Sequence, residues 1–312
     1  MIELAPEHIA RTGDDTPARD IWGYVRRMSG WRQALLALLA LTATLLNLAP
    51  VELQRRLIDH AITRRDADLL FELGILYAIV LGLHQLSKFV LRVVQGWLAE
   101  STALYTRRHL LELWRRGRAG DGEHPGEAVA IIGPEVDKLA GFVGSGPSSA
   151  IGNAGMLLGV VIYMLWVDPL VAALGLALIV PQIVLTPLLQ RRLNRLVERR
   201  VTLMRGFGNQ IAEGAEEPAL ETDMAAIYRN RMTFACYKAM MKGLLNLLNA
   251  AAPLALLMVG GWFVLQGETT VGVLVAFLSG FQRLADPIRE LIAFYRQCAQ
   301  ADVQHRMIAR WM

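Results

Sequence analysis

Apolar residues gather along this chain in blocks separated by short polar turns and arginine-rich stretches. The plainest block runs uncharged from Leu244 to Gln266. At about 1.5 Å of rise per residue it can cross a hydrocarbon core about 30 Å thick as a helix. Gly267-Glu268-Thr269-Thr270 then reverses the chain, which re-enters apolar and grows more charged towards Arg296. Four other blocks precede this hairpin, and together they predict six spans on long helices: 33–58, 69–114, 139–167, 169–212, 238–266 and 270–305. Span three is uncharged from Leu139 to Val167, and span four from Pro169 to Gln190. Span two is interrupted by His84, Lys88 and Arg92, and Pro50 is placed to kink the outer end of span one.

Residues 1–15 read as a polar tail, too acidic before Arg19 for a cleaved signal peptide. Residues 16–32 read as an elbow helix in the headgroup region. Thr16 and Pro17 suit its start, and Ile21, Val25 and Met28 share a face with Trp22 and Tyr24 flanking. Beyond span one, Glu52 with Arg56 and Arg55 with Asp59 are spaced to pair along a helix.

Composition agrees with a membrane domain: 54% of residues are hydrophobic and only 19% are charged. The net charge of +4 sits between the spans, so it reads as inner-face topology and not as a nucleic-acid surface. Arginines crowd the segments after spans two and four and before span five, which puts both termini on the cytoplasmic side. Arg64 and Arg65 in the first outer loop run against that rule. Cys236 and Cys298 are far apart and imply neither a disulfide nor a metal site.

Gly267, Thr270, Gly272, Leu274, Ala276 and Phe277, followed by Pro287, Ile288 and Leu291, resemble the last transmembrane hairpin of an ABC exporter-type transmembrane domain. The likeness covers the chain from about Ile21 onward. It implies an all-α, polytopic six-helix membrane domain with long cytoplasmic extensions, in a bacterial inner membrane, working as a homo- or heterodimer of two such halves. It further implies ATP and Mg²⁺ on a partner nucleotide-binding domain or subunit. No G-x-x-x-x-G-K-[ST] loop occurs here, and Gly144-Ser145-Gly146 reads as close helix packing. The chain is therefore expected to bind no cofactor itself, with the ATPase on another polypeptide or in sequence beyond Met312. A non-transporting scaffold or regulatory subunit, and a secondary transporter driven by an ion gradient, are the alternatives.

In the family, short helices at the tips of two cytoplasmic loops dock on the ATPase. The first corresponds to Gly126–Val136, including Glu127, Ala130, Glu135 and Val136; the second falls near Glu217 and Glu221. An acidic face turned to solvent explains that second loop equally well. Ionisable residues inside the apolar zone mark a transport path: His84, Lys88 and Arg92 on span two and Arg283 on span six. The alternative is that they pair and hold helices together. Counted by helical rise, Lys88 lies level with Asp286 and Glu290, so it is expected to pair with one of them, leaving His84 towards a cavity. Asn47 and Asn153 read as hydrogen bonds between helices.

Overall fold

A computed structural model describes residues 20–115, 131–214 and 217–311, together with Ala5, Pro6 and Ile9. Every regular element among them is helical: α1 (Ile21–Ser29), α2 (Arg32–Arg56), α3 (Ala67–Arg115), α4 (Val136–Val167), α5 (Pro169–Ala212), α6 (Glu217–Gln266), α7 (Val271–Gln282) and α8 (Ala285–Trp311). Wide helical turns at Leu57–Ile62 and Ile131–Glu135 extend α2 and lead into α4. Five helical stretches among the described residues are long and apolar enough to cross a membrane: Arg32–Ile62, Ala67–Arg115, Gly133–Val167, Glu217–Gln266 and Val271–Ala309. Phe71, Ile75, Ile79, Leu86 and Phe89 stand exposed along α3, as lipid-facing side chains do. On α5, the uncharged 169–190 stretch includes side chains outside the described residues.

The chain divides into two units. The first comprises residues 1–163 and 279–312, and the second residues 164–278. In the first unit, Asp20 begins α1 by accepting a hydrogen bond from the Gly23 amide at 3.1 Å. The expected start at Thr16-Pro17 lies outside the described residues. Ile21, Val25 and Met28 are buried in a core shared with Leu110 of α3, Leu139 and Val143 of α4, and Ile308 of α8. Tyr24, expected only to flank that face, is buried with them, because its hydroxyl finds Thr106 at 2.6 Å. Burial pushes the Tyr24 phenol up to about 12. The elbow helix therefore packs on protein and does not merely rest in the headgroups.

Glycine lets α4 approach two neighbours. A Cβ on Gly152, Gly155 or Gly159, one helical face, would meet Ala40, Leu41 and Leu48 of α2 at 3.3, 2.9 and 2.5 Å. A Cβ on Gly144 would lie 2.5 Å from the Gln95 carbonyl oxygen of α3. Close packing is thus the role of Gly144, whereas Gly146 meets only Phe142 of its own helix. Asn153 differs from expectation: its amide donates to the Ser149 carbonyl one turn back and joins no second helix. Between α2 and α3 the chain turns at Arg65, whose φ of 56° is left-handed, and Asp66 then caps α3 through the Leu69 amide at 3.0 Å.

In the second unit, Asp168 caps α5 by accepting from the Leu170 and Val171 amides, with Pro169 in the first turn where its missing N–H is not needed. Helices α5 and α6 run antiparallel, with Arg192 stacked over Tyr237 at 5.7 Å and Leu196–Arg200 beside Asn230–Ala235. The turn after α6 is built on Gly267 at φ 79°, and Thr270 caps α7 through the Val273 amide at 3.3 Å. Leu274 of α7 fills the space that a side chain at Gly260 would take.

The last span was expected to be one helix, but it breaks at Arg283-Leu284. Pro287 has no N–H to offer the Arg283 carbonyl, and its ring crowds that oxygen, so the α-helical ladder cannot pass. Tighter turns close the break, with the Arg283 amide bonded to Gly280 and the Leu284 amide to Phe281, both at 3.1 Å.

Candidate functional site

Within the first unit, polar side chains from four separate stretches meet inside the apolar zone. Asn47 and Gln54 come from α2, Tyr77 and His84 from α3 with Lys88 one turn further on, Ser279 from the end of α7, and Arg283 from the break. Tyr77 sits in an apolar stretch, where the lipid cannot supply its hydrogen bond, whereas Gln54 lies among Glu52, Arg55 and Arg56 and Arg283 beside Gln282.

Arg283 donates through Nη1 to both the backbone oxygen and the side-chain Oδ1 of Asn47. The Asn47 amide is turned on the far side to Met156 of α4, with Nδ2 at 3.7 Å from Sδ. Gln54 is used at both ends: its Nε2 donates to the Tyr77 hydroxyl at 3.1 Å and its Oε1 accepts from Ser279 at 2.7 Å. That double engagement fixes the amide and, through it, Tyr77. Asn47 fits its expected role as a bond between helices.

His84 is buried, with Nδ1 3.0 Å from the Ala43 carbonyl, so it is held against α2 and not free in a cavity. Lys88 is half-buried and Arg92 exposed, so the three basic groups grade outward along α3 instead of forming one equivalent face. The charges of Lys88 and Arg283 both bear on His84.

The expected pair between Lys88 and an acid of the last span does not form. Asp286 binds Arg289 one turn on, both side chains 74% exposed, and no ion pair joins Lys88 to Asp286 or Glu290 among the described residues. The count that made them level assumed an unbroken helix from Thr270, and the break at Arg283-Leu284 removes that assumption.

A second polar knot lies further along α2. Glu52 accepts from Arg55 and Arg56 at 2.8 and 2.7 Å, and from the Tyr163 hydroxyl of α4 at 2.9 Å. Arg56 takes its expected place, and Arg55 also donates to Glu52, through Nε at 2.9 Å and Nη2 at 2.8 Å.

Of the residues expected to dock an ATPase, Glu127 and Ala130 lie outside the described residues. Glu135 is partly covered, 3.8 Å from Lys138. Val136 is 1% exposed, its apolar side chain packed in the core beneath α1. Glu217 and Glu221 are exposed in the first turns of α6, where negative charge also suits the helix dipole. No cluster of metal-ligating side chains occurs among the described residues, and Cys236 and Cys298 are both free thiols.

Sequence reasoning missed Gln54, Tyr77, Ser279 and Tyr163. Tyr77, Ser279 and Tyr163 stand as single polar residues in apolar runs and Gln54 stands among charges, yet their partners lie up to 225 residues away. No protein-family model matches the chain, and comparison with curated proteins yields no match.

Proposed function

We propose that this chain is the transmembrane subunit of an ABC-type exporter, forming the substrate path and coupling to a separate ATP-hydrolysing subunit or domain. The observation that carries the reading is helix length. Helices α3, α5 and α6 have 49, 44 and 50 residues. At 1.5 Å per residue they are roughly 66–75 Å long, more than twice a hydrocarbon core. Each continues far into water on the side rich in arginine, as a rod linking a membrane path to a soluble motor would.

The resemblance of the last hairpin points the same way. It puts spans two and six in one wing, and the first unit holds both α3 and α8. In this reading the span count is six, with 169–190 of α5 as the fourth, and both termini face the cytoplasm of a bacterial cell. Two membrane halves, identical or different, enclose a path. ATP binding by the partners draws the halves together and changes the side to which the path opens. The driving free energy comes from the ATPase, since a ligand shifts an equilibrium only by its differential affinity for the two states.

The break beside Arg283 favours a second reading, a secondary transporter whose site lies on a discontinuous helix. Purification from native membranes separates the two. The exporter reading expects an ATPase subunit to co-purify, the chain alone to hydrolyse no ATP, and the recombined pair to hydrolyse it. ATP hydrolysis by the chain alone would overturn the assignment. Uptake driven by an ion gradient with no ATPase attached would install the second reading.

A further inference from the structure

The Arg283 cluster is rich in donors and contains no acid. Asn47 gives Arg283 two neutral oxygens, and no ion pair joins Arg283 to a carboxylate among the described residues. Of the acids near these positions, Asp286 binds Arg289 and Glu52 binds Arg55, Arg56 and Tyr163, while Glu290 is exposed and forms no ion pair with Arg283 among the described residues. No ion pair engages Lys88 among the described residues, and the ordered Gln54 amide leaves the Tyr77 hydroxyl proton available to another acceptor. Positive charge inside an apolar zone is strongly unfavourable without a counter-charge. Among the described residues no carboxylate pairs with Arg283 or Lys88, while Leu70 and Leu81 are exposed on the face of α3 that carries Tyr77 and His84.

We propose that the cluster of Arg283, Tyr77, His84 and Lys88 binds an anionic amphiphile, its carboxylate or phosphate head completing the charge that the protein leaves open and its apolar body lying along α3. The guanidinium makes charge-assisted bonds to the head, and the Tyr77 hydroxyl adds a neutral donor held in place by Gln54, while Lys88, about 16 Å along α3 from Tyr77, attracts the head at longer range. The proposal names the substrate class for the path described above and rests on that reading of the cluster.

The test is equilibrium binding of radiolabelled laurate to the full chain in phosphatidylcholine nanodiscs, with binding to empty discs subtracted. Dodecyl phosphate should displace laurate, whereas dodecyltrimethylammonium and dodecanol should not. Arg283→Gln should weaken binding about tenfold and Tyr77→Phe about threefold, while Arg195→Gln in the second unit should match the wild type. Circular dichroism and gel filtration verify folding, and Tyr77→Phe, which removes one oxygen, guards against loss of fold in Arg283→Gln. Equal displacement by the cationic amphiphile, or unchanged binding in both folded variants, would overturn the proposal. Displacement by inorganic phosphate at laurate's own concentration would assign the site to a free oxyanion and overturn the amphiphile. No ATPase enters this assay. Laurate binding without a co-purifying ATPase sinks the exporter reading alone, and a co-purifying ATPase without anion preference sinks this inference alone.

Discussion

Arg283 holds Asn47 by a forked bond from one nitrogen, although 236 residues separate them in the chain. The bond ties the break in the last span to the middle of α2. A hydrogen bond to a charged group contributes about 1.5–3 kcal/mol. Asn47→Ala should therefore lower stability by about 2 kcal/mol, measured by denaturant unfolding in detergent. In a double-mutant cycle, Arg283→Gln should cost less in the Asn47→Ala background than in the wild type. Purely additive losses would show that the two side chains do not interact.

Backbone crowding at Gly144 sets a second expectation. A methyl group there would meet the Gln95 carbonyl oxygen, which cannot move without its helix. Gly144→Ala should destabilise by about 1–3 kcal/mol. Gly141→Ala, with open space around it, should be neutral or slightly stabilising by the same unfolding assay.

Alkaline pH should loosen α1. Folded Tyr24 keeps its proton up to about 12, whereas an unfolded phenol releases it near 10. Its contribution is full below pH about 10 and declines as pH rises through about 12, because deprotonation then favours the unfolded chain. Stability measured across that window should fall more steeply for the wild type than for Tyr24→Phe. Identical slopes would place Tyr24 in water.

Labelling can test the cytoplasmic extensions. In a background with Cys236→Ala and Cys298→Ala, Glu221→Cys should react with a membrane-impermeant maleimide in inside-out vesicles and not in intact cells. Val136→Cys should react from neither side, being covered by the core beneath α1. Labelling of Glu221→Cys from outside the cell would invert the topology.

Helix existence was legible because long uncharged blocks leave few alternatives, and the α5 bounds of 169 and 212 follow from Asp168-Pro169 and Gly214. Tyr24 was misplaced because its exposed-looking hydroxyl has a partner 82 residues on, a distance that periodicity cannot see. The break in the last span was foreshadowed by Pro287, but a proline in a membrane helix can equally leave a kink, and only the backbone decides. Lys88 was given the wrong neighbour because depth along an ideal helix fixes height and says nothing of azimuth. The elements were thus local information. The polar cluster was not, since each of its bonds joins positions whose meeting depends on how whole helices are laid side by side.

Two tight turns at Arg283-Leu284 also have a mechanical meaning. An unbroken helix carries torsion from end to end, whereas a missing rung in the ladder makes a compliant joint. Beyond that joint, α8 is clamped at Ala301 and Ile308 into the core under α1, while Arg283 on the joint itself is fastened to α2. The segment that starts at the break is thus held at both ends inside the first unit, by the Arg283–Asn47 bond on α2 and by Ala301 and Ile308 in the core under α1.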